Sequence, residues 1–188
     1  MRLIYFFTVF FSISLYGLHA EETRQVNKHE HGVGELGIAI ENRIINFVFM
    51  IPGADIVGFE YEAKSEQDIA TVDSALKKFD DYKNIFNMSG DHQCILLSQK
   101  IIINQEEEHD EHDEHDEHDE HEAEVHNEFN ANYSFKCEKI KSINNIEFTY
   151  FATFPNSGEL EIQFVSELGS TSFAVEASDP FINVVGKI

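Results

Sequence analysis

The chain has 188 residues, with 13 Lys and Arg against 35 Asp and Glu, ten His, and a formal net charge of −22 at pH 7. A surface of that sign repels nucleic acid, whose affinity is built from Lys and Arg set against phosphates, and it repels bilayers carrying anionic lipid. It attracts cations and raises their local concentration without selecting among them.

Residues 1–20, MRLIYFFTVFFSISLYGLHA, join Arg2 to an almost wholly apolar stretch from Leu3 to Leu15 and end on Leu18-His19-Ala20. These are the parts of a secretory signal peptide. The apolar stretch is shorter than the ~20 residues of a spanning helix. The expected mature chain therefore begins near Glu21, is exported, and does not insert in a membrane after cleavage.

From Glu21 to Lys28 the residues are polar and without period, the pattern of a loose lead-in. His29-Glu30-His31-Gly32 follows. Two histidines at i and i+2 share one face of an extended strand, and Gly32 lets the backbone turn closely around a ligand. His29 and His31 are thus a candidate ligand pair, with a solvated strand start as the plain alternative. GELGIAIENRIINFVFMI, from Gly34 to Ile51, alternates and then runs apolar, as a hairpin does, and Pro52-Gly53 closes it. Asp55 to Glu62 reads as a short strand or loop with Phe59 in the core. Ser65 is a good N-cap, and Ile69, Val72, Leu76 and Phe79 fall at helical spacing. The expectation is a core-facing helix over Glu66 to Phe79, with Ile85, Phe86 and Met88 continuing the packing. Cys94 to Ile103 reads as a strand.

Glu106 to His121 then reads EEEHDEHDEHDEHDEH, placing His109, His112, His115, His118 and His121 three residues apart. Imidazole and carboxylate are ligands that Zn²⁺ accepts, and His-rich tracts read as metal-binding. No apolar side chain interrupts the run, so the sequence predicts a solvated, disordered segment. A charged linker with no ligand role is the bland reading. Sites assembled by binding lose ordering entropy, so the run is expected to hold several weak-to-moderate, exchangeable ions. Histidine coordinates only when neutral. Nitrogen and oxygen ligands would hold Cu²⁺ or Ni²⁺ at least as well as Zn²⁺, so the run itself does not choose the metal.

Cys94 and Cys137 flank the run. In an exported chain an even count favours a disulfide, which over such a loop contributes roughly 4 kcal/mol in the chain-entropy model. Two thiolate ligands in a metal site are the rival reading. The bond is expected to pin the ends of the run and to bring His126 near the folded body.

Beyond the run, Phe129, Tyr133 and Phe135 mark a strand from His126 to Lys136. Ile146 to Phe154 reads as strand-like, and Pro155 to Gly158 as a turn. Glu159 to Val165 and Ser170 to Ala177 form a hairpin around Leu168-Gly169, and the tail FINVVGKI supplies a last strand or extended segment. Gly34-Glu35-Leu36-x-Ile38-x-Ile40 matches Gly158-Glu159-Leu160-x-Ile162-x-Phe164. A real repeat of that kind makes the protein two small, pseudo-symmetric α+β halves of antiparallel hairpins with at least one packed helix. The expected organisation is a signal peptide over 1–20, an N-terminal α+β half over 21–104, the acidic His-rich segment over 105–125, and a mainly β half over 126–188.

Four features together resemble the ZrgA-type zinc-regulated periplasmic proteins, long regarded as a domain of unknown function. These are His29-Glu30-His31-Gly32, Val57-Gly58-Phe59-Glu60 before the helix, a cysteine on either side of a His/Asp/Glu-rich insert, and Phe154-Pro155 before a final hairpin. The resemblance covers nearly the whole mature chain. It implies a periplasmic zinc-binding accessory to a zinc import system, with an ABC importer or its binding protein as partner. In that family the position of Tyr61 is often His, and Tyr is a poor Zn²⁺ ligand. The family pattern also places the His-x-His strand beside His126. A tighter site on the folded body would then use His29, His31 and His126, with Glu128 or His92 as a fourth ligand. A nickel or copper buffer is the alternative within the same class, and a structural protein with a solubilising acidic run is another. An enzyme is not expected, since the chain has no His-Glu-x-x-His and no Gly-x-Ser-x-Gly.

Overall fold

The computed structural model describes residues 32–107 and 125–188. The proposed signal peptide, His29, His31 and the five run histidines lie outside the described residues.

Strands β1 (Val33–Glu41) and β2 (Ile44–Pro52) form the expected hairpin. Asn42 sits at its turn in the left-handed region, φ 55°, a conformation Asn tolerates and two-residue hairpins require. Leu36, Ile38 and Ile40 of β1 and Ile45, Phe47, Phe49 and Ile51 of β2 are buried, and the residues between them are more exposed. Period-two burial of that kind puts one face of the pair on the core.

Helix α1 (Gly53–Val57) and helix α2 (Glu66–Asp80) follow. The Ser65 hydroxyl accepts the Asp68 N–H at 3.0 Å and so caps α2. A 3₁₀ turn at Tyr82–Asn84 then leads to β3 (Asn87–Met88). The long strands β4 (Cys94–Glu107) and β5 (Val125–Cys137) flank the run. After them come β6 (Asn145–Glu147), helix α3 (Tyr150–Thr153), β7 (Glu159–Ser166), β8 (Gly169–Glu176) and β9 (Phe181–Asn183).

Six strands make one sheet in the order β4-β5-β2-β1-β7-β8, and β3-β6-β9 make a small second one. Every pairing is antiparallel except β1 with β7, which run parallel from Val33↔Glu159 to Ala39↔Val165. Phe86, fully buried, lies against the sheet with its ring 4.0 Å from Phe47 and near Phe49, Tyr133 and Phe135. Phe79 of α2 stacks on Phe129 and Phe154. The result is a mixed α+β fold dominated by antiparallel sheet. Strands from before and after the run are interleaved, and they share a core. The two copies of the Gly-Glu-Leu motif are parallel neighbours, with Gly34 opposite Leu160. Their likeness is that of two adjacent strands of one sheet, which does not show a pseudo-symmetric pair of halves.

Several local expectations change. Asp55 to Glu62 is a short helix followed by an irregular stretch, because Gly58 at φ 86° stops α1 after one turn. Ile56 enters the core there, and Phe59 is half-buried, stacked on Tyr61 at 4.6 Å. Ile69 is exposed, and α2 turns Ala75 and Phe79 inward. Ile146 to Phe154 is strand only to Glu147. Phe148, Tyr150, Phe151 and Phe154 are all buried around the α3 turn, and an apolar run buried on every side carries no period to tell strand from helix. The strands also reach further than expected, β4 to Glu107 and β5 back to Val125.

Two tyrosines make the fold sensitive to alkali. The Tyr133 hydroxyl donates to the Phe79 carbonyl at 2.6 Å. Burial, then Asp80 and Asp81, pushes its pKa well above the ordinary phenol value. Tyr150 is raised too, chiefly by burial and further by Asp55. The folded state holds these protons when the unfolded chain, with phenols near pKa 10, has begun to release them. The stability they support is therefore whole below about pH 10 and is lost as pH rises beyond it. The urea midpoint is expected to fall between pH 9 and pH 11. The double variant Tyr133→Phe/Tyr150→Phe should show a shallower fall, and an equal fall would exclude these groups as the cause.

Candidate metal centre

The sheet brings several metal-capable side chains to one end, where β2 and β5 finish their ladder at Pro52↔Glu128. The chain leaves β2 through Gly53, where a Cβ would lie 1.5 Å from Asn127 Oδ1. Only glycine fits so close an approach. Helix α1 then turns the chain back, and the stretch after Gly58 runs along the start of β5. Asn127 ties it down twice, donating its backbone N–H to the Glu60 carbonyl at 2.9 Å and its side-chain amide to the Tyr61 carbonyl at 3.0 Å.

This strap sets Glu60 against the residue before Asn127. Glu60 Oε2 is 2.5 Å from His126 Nδ1, with the two side chains 11% and 24% exposed. His126 and Glu128 are two apart on β5 and so share a face. Glu128 is buried, and its Oε1 accepts from Asn130 Nδ2 at 2.5 Å. Asp55 of α1 is also buried. Its Oδ1 accepts the Gly32 N–H at 2.8 Å, and the Gly32 carbonyl accepts from Gly158 and Glu159 at 2.9 and 2.7 Å. The first described residue of the chain, the glycine directly after His31, is thereby fixed on both sides.

Of the candidate ligands, His126 and Glu128 are placed at this end. His92 is not. The Cys94–Cys137 disulfide is formed, and the two residues face each other at the opposite end of the β4–β5 ladder from the Glu106↔His126 pair. Eleven residue steps of extended strand separate His126 from Cys137, about 37 Å at ~3.4 Å per step, and His92 lies beside Cys94. Both ring nitrogens of His92 are engaged, Nδ1 accepting the Cys94 N–H at 3.1 Å and Nε2 facing the Met88 carbonyl at 3.2 Å. It therefore shares no ion with His126. Nor does the disulfide bring His126 to the body, as the sequence suggested. Pairing of β5 with β2 and the Asn127 strap do that.

Two residues went unrecognised in the sequence. Glu60 stood in a quoted motif with no partner assigned, and Asp55 in a stretch read as strand or loop. No spacing signal links position 60 to position 126. Tyr61 is exposed and stacked on Phe59. Among the described residues, no three His, Cys, Asp or Glu side chains gather into a set ready to hold a metal ion. Among them, too, no helix is long and apolar enough to cross a membrane.

The family model described as "ZrgA family zinc uptake protein" matches residues 28–184. That span takes in the fold, the His-rich segment and the His-x-His sequence before Gly32. No curated protein matches the chain.

Proposed function

The chain belongs to the ZrgA family of zinc uptake proteins, and from that premise we propose that it is a periplasmic zinc-binding protein that captures, buffers and passes Zn²⁺ to an import system. The observation that carries this reading is the position of His126. It is braced by Glu60 at the mouth of the β4–β5 hairpin, and residues 108–124, the stretch with the five periodic histidines, connect those two strands.

On this reading zinc is cargo, held in two ways. His109, His112, His115, His118 and His121 take several ions weakly and release them quickly, because each site must be ordered by the ion it binds. A tighter site uses His126 with His29 and His31, the pair one and three residues before the anchored Gly32. Glu128, on the His126 face of β5, is the oxygen donor. Imidazole nitrogens with one carboxylate match the ligand chemistry Zn²⁺ prefers. The protein holds and relays the ion without turnover. Its partner is the zinc importer of the ABC type or that importer's binding protein, and the signal peptide delivers it to the periplasm.

Zinc uptake by the mature chain at pH 7.5 tests the proposal. Replacing the five run histidines with asparagine is expected to lower the stoichiometry by several ions while leaving one tighter site. Equal uptake by both proteins would overturn the reading. Titration with Ni²⁺ and Cu²⁺ in parallel would show a preference for either metal, were the cargo not zinc.

A further inference from the structure

We infer that Glu60 is a positioning residue for His126, fixing its tautomer so that the ring meets zinc through Nε2. The inference rests on the reading of His126 as a ligand and adds the group that prepares it. A neutral imidazole carries one N–H, and the hydrogen bond made by one nitrogen decides which nitrogen keeps the lone pair. Glu60 Oε2 lies 2.5 Å from Nδ1, so the proton belongs on Nδ1 and the lone pair on Nε2. A carboxylate in that place also raises the basicity of the coordinating nitrogen, as in carboxylate–histidine–zinc arrangements generally.

The mount is rigid on both sides. Glu60 is 66 residues from His126 in sequence. Its own carbonyl and that of Tyr61 are both held by Asn127, the residue next to the ring. Neither side chain is more than a quarter exposed, so water screens the pair weakly. Gly53 makes room for the Asn127 side chain that does the tying. Gly53 and Glu60, distant in sequence, and the neighbouring Asn127 thus set the direction of a single imidazole.

The test uses the full mature chain in which the five run histidines are asparagine, so that only the tighter site is read. Zinc affinity is measured by competition with a chelator, and ring tautomers by ¹⁵N-resolved NMR. Glu60→Ala is expected to weaken zinc 10–100-fold with one ion still bound, the range found when such outer partners are removed. Glu60→Gln keeps an acceptor without the charge and should lose less. In the metal-free parent His126 should carry its proton on Nδ1, and in Glu60→Ala it should shift toward Nε2, a change that a merely structural loss would not produce. Unchanged affinity or an unchanged tautomer in Glu60→Ala would overturn the proposal. So would abolition of binding by both Glu60 variants to the level of His126→Ala, which would make Glu60 a ligand itself. Should His126→Ala bind zinc as the parent does, the ligand reading beneath the proposal would fail, and that result is distinguishable from failure of the positioning role.

Discussion

Replacing Phe86 with alanine is expected to destabilise the protein by about 3–5 kcal/mol, the usual cost of truncating a fully buried aromatic. Phe86 comes from the short link between the 3₁₀ turn and β3, yet its ring reaches into the face of the main sheet. It stacks on Phe47 at 4.0 Å and lies 5.9 Å from Phe49, 5.7 Å from Tyr82, 5.6 Å from Tyr133 and 5.9 Å from Phe135. Edge-to-face and offset contacts of this kind add to simple area burial. Strands β2 and β5 and the link itself all meet at this ring, so its loss leaves a hole that no single neighbour can fill. For a domain of this size the loss corresponds to a melting temperature lower by roughly 10–15 °C. Phe86→Leu keeps much of the apolar volume but none of the ring contacts, and should cost less than the alanine variant. Thermal unfolding of both variants checks this, and a loss below about 1 kcal/mol for the alanine variant would remove Phe86 from the centre of the core.

The second large effect belongs to the disulfide. With Cys94 and Cys137 separated by 43 positions, the chain-entropy model assigns about 4 kcal/mol to the bond, and the double variant Cys94→Ser/Cys137→Ser should lose most of it. The loss should fall unevenly. β4 is an edge strand whose Ile95 and Leu97 are 62% and 52% exposed, so few buried side chains hold it once the bond is gone. Amide exchange should therefore accelerate in β4 well before it does in β1 or β2, which lie inside the sheet. A uniform change across the sheet, or a loss below about 1 kcal/mol, would contradict this account.

Where the structure followed the sequence, a local rule was at work. Alternation in β1, the Asn42 turn, the Ser65 cap and the Leu168-Gly169 corner are each decided within a few residues. Phe148 to Phe154 shows where such rules end, since a stretch buried on all sides offers no polar face to count against. Parallel pairing of β1 with β7 is another case. Both strands advertise a buried face, but nothing in either names its neighbour. For the candidate site, residue chemistry kept His92 as an alternative to Glu128 for a fourth ligand beside His126. Position along β5 separates them, and the ring of His92 is occupied by backbone groups of Cys94 and Met88. The reverse holds for Glu60. One of 35 acidic residues, it acquires its role only when α1 folds back and Asn127 secures the loop.

The pairing of Val33 with Glu159 also bears on how fast the molecule can assemble. The first strand waits beside its hairpin partner until more than a hundred further residues have arrived, and such distant closure is slow because loop entropy is spent before any contact repays it. Gly32 shares the wait, since two of its three bonds go to Gly158 and Glu159. A chain truncated before β7 should therefore leave the β1 edge bare and Gly32 with only its bond to Asp55.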